Sequence, residues 1–295
     1  MSFIWNSAIG LLLVTGGLLG LSLPFGKLAG AAGVAAVVWS LLISVGAGVV
    51  LLGAFVALGG RTRLDIARVR YFVVVAALSY AIPNVLMFSA MPRLGAGYVG
   101  IMFTLTPMLT LVLSILLRMR RPSGLGVAGI LVGFAGALTV ALTRGEAGQP
   151  ASLGWVAMGL AIPFFLAAGN VYRTWDWPKG ADPLELAAGS HLASALMLLG
   201  VILATGTLPD IGALSNVPVL AFLQAAAAAA MFAFFFRLQA VGGPIYLSQI
   251  GYVGAAVGLF SGTVFLGESY SALTWLGAAV IVAGVTMTTK AQAAG

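Results

Sequence analysis

Residues 94–117 read LGAGYVGIMFTLTPMLTLVLSILL, an apolar run bounded by Arg93 and Arg118. A hydrocarbon layer about 30 Å thick is crossed by about 20 helical residues, so the run is long enough, and it carries no charge. Backbone N–H and C=O groups in lipid must be satisfied internally, which leaves only helices or closed barrels. Barrel strands alternate apolar and polar residues, and this run does not. It is a membrane helix.

The same reading extends in both directions. Charged or Gly/Pro-rich breaks delimit spans at 5–26, 32–58, 69–91, 94–117 and 124–143, then at 153–174, 184–206, 214–238, 243–266 and 272–290. Ten spans leave no room for a soluble catalytic domain. The composition agrees: the chain is 61% hydrophobic and 7% charged, against about 45–50% and about 25% in soluble proteins. Its 40 glycines suit helices that pack closely in lipid, with Gly254, Gly258 and Gly262 forming one ridge. The run Ala225 to Ala230 reads as a thin helix face for the same purpose. The absence of cysteine excludes disulfides, thiolate metal sites and thiol catalysis. Met1 to Ser7 lacks a basic n-region and the first span exceeds a signal-peptide core, so that span is expected to be retained.

The net charge of +7 is a statement about topology. A cytoplasmic N-terminus puts Arg61, Arg63, Arg68, Arg70, Arg118, Arg120, Arg121, Arg173, Lys179, Arg237 and Lys290 inside, and Lys27, Arg93 and Arg144 outside. That asymmetry predicts two cytoplasmic termini. The cations suit anionic lipid headgroups, and their scatter over several loops and the tail argues against a nucleic-acid face.

An offset of 148 residues places Gly95 on Gly243, Tyr98 on Tyr246, Gly129 on Gly277 and Gly136 on Gly284. Spans four and five then correspond to spans nine and ten. Each half has an odd number of spans, so the second copy enters the membrane from the opposite side. The expected fold is all-α integral membrane, ten transmembrane helices as two inverted five-helix repeats, 1–148 and 149–295. Arg144 to Ala151 is the expected linker. Many secondary transporters are built this way, with the substrate near the midplane between the halves.

Phe265-Leu266-Gly267-Glu268-Ser269, then Trp275-Leu276-Gly277-Ala278-Ala279 and Ala283-Gly284-Val285, resemble the closing signature of the drug/metabolite transporter superfamily, EamA type. Pro107 and the series Gly129, Gly133, Gly136 resemble the first copy of that signature, and Lys27 is similar to a basic residue common at the end of its first helix. The 148-residue offset pairs Glu268 with Arg120, a departure that argues against a symmetric role for the carboxylate. Within the superfamily the chain looks most like the bacterial aromatic amino-acid exporters. The resemblance implies export of a small-molecule substrate, an aromatic amino acid, across the inner membrane without a cofactor.

Polar, aromatic and proline-broken positions at mid-span depth are the candidate substrate contacts, because such groups are costly when they face lipid. In span nine, Tyr246, Gln249 and Tyr252 follow Pro244 at helical spacing, and Tyr98 is the repeat mate of Tyr246. Span three offers Tyr80 and Asn84 around Pro83, and span six repeats the pattern with Pro163, Phe164, Phe165 and Asn170. Phe103 and Phe164 are placed to stack on an aromatic ring, with Met102 beside Phe103. His191, the only histidine, is a candidate contact or proton carrier, its alternative being a hydrogen bond between helices. The interfacial belt and ordinary core packing are the competing readings of the aromatics.

No Asp or Glu falls at mid-span depth, Glu268 and Asp210 being assigned to outer loops, which favours facilitated export over strong proton coupling. A lone histidine makes no metal site, so none is expected. The G-x-G-x-x-G spellings at 95–100 and 124–129 follow no strand, and no P-loop is present. An intramembrane serine protease would pair a serine with His191, but Ser190 points about 100° away on a helix and Ser261 has no evident partner. An enzyme is not expected. Transport of a drug, nucleotide sugar or lipid on the same fold is the main alternative, and a monomer is compatible with the sequence.

Overall fold

The computed structural model describes residues 5–61, 64–119, 121, 123–145, 150–248 and 250–293, with the side chains of 209, 236, 239–248 and 292–293 outside the description. Among the described residues there is no strand. The helices are α1 (Ala8–Ala31), α2 (Ala36–Ala57), α3 (Ile66–Val75), α4 (Ile82–Leu94), α5 (Ala96–Phe103) and α6 (Thr106–Leu116). They continue as α7 (Gly124–Thr143), α8 (Leu153–Trp175), α9 (Pro183–Ala204), α10 (Pro218–Ser248), α11 (Ile250–Phe265) and α12 (Ala272–Ala293). A π-helical segment, Ala76–Ala81, joins α3 to α4 into one span, and α5 with α6 forms the next.

Nine stretches among the described residues are long and apolar enough to cross a membrane, and α11 is a shorter apolar helix. Side chains such as Val49, Leu138, Leu196 and Phe222 stay exposed on the outside of the bundle. In a lipid solvent that exposure costs nothing. Boundaries follow local chemistry: Ser7, Ser123 and Asp182 accept from the first free N–H groups of α1, α7 and α9.

Small residues set the packing. The antiparallel pair α7 and α12 places Gly129 against Gly284 and Gly136 against Gly277, so close that a Cβ at Gly129 would stand 2.7 Å from the Gly284 carbonyl. On α1, Gly16 meets Val253 and Gly20 meets Gly254, while Gly100 of α5 meets Ala255. Ser44 of α2 shares a buried 2.9 Å hydrogen bond with Ser194 of α9, and Gln224 of α10 donates to Ser22 of α1 at 3.0 Å.

The structure departs from the sequence reading at the eighth and ninth spans. The break expected between 238 and 243 is absent: α10 runs 31 residues to Ser248, and α11 begins at Ile250. Gly242, Gly243 and Pro244 permit a break, but glycine only weakens a helix and a proline leaves just one carbonyl without its donor. At about 1.5 Å per residue α10 is roughly 46 Å long, longer than a hydrocarbon core. Residues 208–216 form a 3₁₀ segment ahead of α10. Arg120 and the linker residues 146–149 lie outside the described residues.

Candidate functional site

Two irregular stretches open the middle of the bundle. Pro83 has no N–H to give the carbonyl four residues earlier, and the chain answers with a wider turn, Ile82 N–H bonding Ala77 O across five residues. Ser79 and Tyr80 ride on that turn. In the next span Pro107 likewise withholds a donor from Phe103 O. The helix tightens there, with Thr104 and Leu105 donating to Ile101 and Met102 three residues back at 3.1 Å, before α6 resumes. Such irregular backbone is tolerated at membrane depth where it borders a cavity.

A cavity of about 1100 Å³ of atom-free space, counted to its open mouth, lies against these stretches. Its wall takes Ser79, Tyr80, Pro83, Asn84 and Met87 from one span, and Phe103, Thr106 and Pro107 from the next. Leu19 and Ser22 of α1, Ile43 of α2, Leu166, Asn170 and Arg173 of α8, Ala228, Met231, Phe232 and Phe235 of α10, and Ile250 and Gly251 of α11 complete it. The wall is mainly apolar and aromatic with a few polar groups, the usual make-up of a small-molecule site. Arg173 Nη2 donates to Asn170 Oδ1 at 2.5 Å, Asn170 Nδ2 reaches Thr110 Oγ1 at 3.4 Å, and the guanidinium carbon stands 5.7 Å from the centre of the Phe235 ring.

The candidates read from the sequence separate into groups. Tyr80, Asn84, Phe103 and Asn170 stand together on the cavity wall. His191 lies one layer behind, fully buried, stacked on Tyr80 at 3.9 Å between ring centres and edge-on to Phe232 at 4.1 Å. Neither of its ring nitrogens has a hydrogen-bond partner among the described residues.

Tyr98 and Met102 are fully buried away from the cavity, on the other side of their helix. The Tyr98 hydroxyl donates to Val140 O of α7 at 3.0 Å. Phe164 is 49% exposed on the outer face of α8, because one position of helix rotation past Pro163 carries it out of the bundle. Tyr252 does not line the cavity either. The Tyr246 side chain and all of Gln249 lie outside the described residues.

Sequence reasoning missed Ser22, Ser79, Thr106, Phe232, Phe235 and Arg173. Arg173 had a legible signal, since it stands one helical turn after Asn170, but the topological charge count absorbed it as a loop cation. Glu268 does lie in the loop between α11 and α12, as read from the sequence, but its burial there was not foreseen. It follows the last turn of α11 but is only 4% exposed, because the chain folds its carboxylate onto the first N–H groups of α5. Ala96 N–H donates at 2.6 Å, Gly97 N–H at 3.0 Å and Lys27 Nζ at 2.5 Å, and the Tyr270 hydroxyl donates as well. Burial alone pushes this carboxyl up, and the hydrogen bonds from Gly97, Lys27, Tyr270 and Ala96 outweigh it, holding the group below its ordinary range.

The Glu268 cluster and the Arg173 end of the cavity lie toward opposite ends of the bundle. Trp5, just ahead of α1, accepts through its carbonyl from Arg237 at 3.1 Å at one end, and Lys27 in the last turns of α1 meets Glu268 at the other. The cavity reaches from Ser22 and Asn84 toward the other end, where α8 closes at Trp175. There Arg70 forks onto Asp176 at 3.0 and 2.5 Å, and Arg68 joins Glu185 at 3.0 Å.

Residues 6–142 match a family described as the EamA-like transporter family. Protein PecM of Dickeya dadantii (strain 3937) is 26% identical over 212 residues, 70% of this chain and 69% of that protein, so the likeness extends into the second half. A crystal structure of a protein aligns at a TM-score of 0.60 and 20% identity, covering 93% of this chain and 96% of its own, a likeness of fold alone.

Proposed function

We propose that the chain, whose residues 6–142 match the EamA-like transporter family, is a secondary transporter exporting small organic solutes, aromatic amino acids first, through the central cavity. The observation that carries this reading is the meeting of two proline-disturbed spans on one cavity that combines Tyr80, Phe103 and Phe232 with Asn84, Thr106 and Asn170. An aromatic ring finds faces to pack on, and a polar head finds donors and acceptors without displacing helix hydrogen bonds.

In this reading residues 1–148 and 149–295 are inverted repeats and ten spans cross the membrane, α11 being the shortest. The glycine seam supports it. Gly129 and Gly277 are mates at the 148-residue offset, as are Gly136 and Gly284, and on α7 and α12 the mates exchange partners, Gly129 meeting Gly284 and Gly136 meeting Gly277. A twofold axis between the helices produces that exchange. The charge asymmetry supports cytoplasmic termini and a bacterial inner membrane, with the Arg173 end of the cavity inward and the Glu268 cluster closing the outer end. No acidic residue is among the described residues that line the cavity, which supports facilitated movement over proton exchange.

Counterflow of labelled tryptophan, phenylalanine and a nucleotide sugar in liposomes holding the purified protein tests the reading. Mutual competition among the aromatic amino acids is expected. Nucleotide-sugar counterflow without it would transfer the site to another metabolite class, and a many-fold rise in uptake with an imposed pH gradient would remove the facilitated mode.

A further inference from the structure

Arg173 is the one cation among the described cavity-lining residues, in the last turn of α8. No carboxylate ion-pairs with it among the described residues: at that end of the bundle Asp65 and Glu185 are taken by Arg68, and Asp176 by Arg70. Its Nη2 hydrogen bond goes to the neutral Asn170 Oδ1 at 2.5 Å, and it stands over the Phe235 ring. A guanidinium offers five N–H donors in a fixed fork that matches a carboxylate, and beside an apolar wall such a pair is stronger than in water. Nothing of opposite sign faces the cavity among the described residues. An ammonium group entering it would meet only neutral acceptors and a like charge.

We infer that the cavity selects aromatic organic anions, seating the carboxylate on Arg173 and the ring among Tyr80, Phe103 and Phe232, and that an amino group adds nothing to recognition. The inference rests on the transport reading above and narrows its substrate class: the carboxylate and ring of an aromatic amino acid are recognised, and the corresponding acid without an amino group is bound better. It also supplies a driving force. A monoanion leaves a negative interior down the electrical gradient and needs no coupled ion, whereas a zwitterion gains nothing from the potential.

The test uses the purified full chain in liposomes with labelled 3-phenylpropionate and labelled phenylalanine, and phenethylamine as competitor; the three share a ring and differ in head group. Expected is half-inhibition by 3-phenylpropionate at a concentration about tenfold below that of phenylalanine, since desolvating the ammonium beside a like charge with no counter-ion weakens binding by about that factor or more, and no competition by phenethylamine, which lacks the carboxylate. An inside-negative potential should slow 3-phenylpropionate uptake and leave phenylalanine uptake unchanged. Arg173→Gln should abolish the preference for the acid, and Arg173→Lys should keep part of it. Phenylalanine competing as well as the acid, or a preference that survives Arg173→Gln, overturns the inference while the transport reading stands. Counterflow of neither labelled compound overturns both. The wild-type competition and potential measurements need no variant, so an Arg173→Gln protein that fails to fold leaves the test intact.

Discussion

Lys27 Nζ lies 2.5 Å from Glu268 Oε1, joining the end of α1 to a carboxylate that also receives the first two N–H groups of α5. Three pieces of chain are held at one point. The Glu268 side chain is fully buried and that of Lys27 is 24% exposed, so the two partners are not equivalent. Glu268→Ala removes the acceptor of two buried N–H groups together with a buried ion pair and should destabilise by about 3 kcal/mol, whereas Lys27→Met leaves the other three donors in place and should cost about 1 kcal/mol. Thermal unfolding in detergent ranks the two, and equal losses would remove the asymmetry.

The same carboxylate sets an acid limit. Its folded pKa is depressed below the ordinary 4.5, so its contribution to stability is complete above that value and is lost as pH falls through the folded pKa. The melting temperature should therefore drop on acidification below about pH 4.5, and the drop should shrink in Glu268→Gln, which has no proton to gain. A parallel decline in wild type and variant would assign acid sensitivity to other groups.

Gly284 is a second point of close approach. A side chain there would meet the backbone of Gly129 and Gly133 on α7, and backbone cannot rotate aside. Gly284→Leu should lower the melting temperature strongly, in line with about 3 kcal/mol of overpacking. Gly17 of α1 has open space to 4 Å around the place a methyl group would take, and should accept Gly17→Ala with a change under about 1 kcal/mol. Comparable losses for the two would argue against the seam.

In the cavity, Phe103→Ala and Asn84→Ala should each raise the KM for an aromatic substrate about tenfold, because both side chains stand on its wall. Phe164→Ala should leave KM unchanged, since that ring is 49% exposed outside the bundle. Kinetics of labelled uptake separate the three, and an effect of Phe164 equal to that of Phe103 would displace the site.

His191 packs between Tyr80 and Phe232 with neither nitrogen bonded among the described residues. An unsatisfied buried polar ring contributes through shape alone, so His191→Leu should shift stability by no more than about 1 kcal/mol, while His191→Ala should lose about 2 kcal/mol through the cavity it leaves. Equal losses for Leu and Ala would point to a hydrogen bond that the ring makes.

The sequence alone determined the solvent and the all-helical class, but not every boundary, since α10 runs through the break expected at 238–243. Runs such as 94–117 admit no other physical solution in lipid, and a period-independent apolar composition survives any packing. It also marked Tyr80, Asn84, Phe103 and Asn170, because a polar or aromatic group beside a proline at mid-span has few reasons to face hydrocarbon. Which way each side chain turns was decided only by tertiary structure. One step of about 100° along a helix separates Phe103 on the wall from Met102 in the core, and sequence spacing does not fix the zero of that angle. The partners of Lys27 and Arg173 were beyond it for a related reason. Glu268 is 241 residues from Lys27, and Arg173 takes its place on the cavity wall only once α8 is packed against its neighbours.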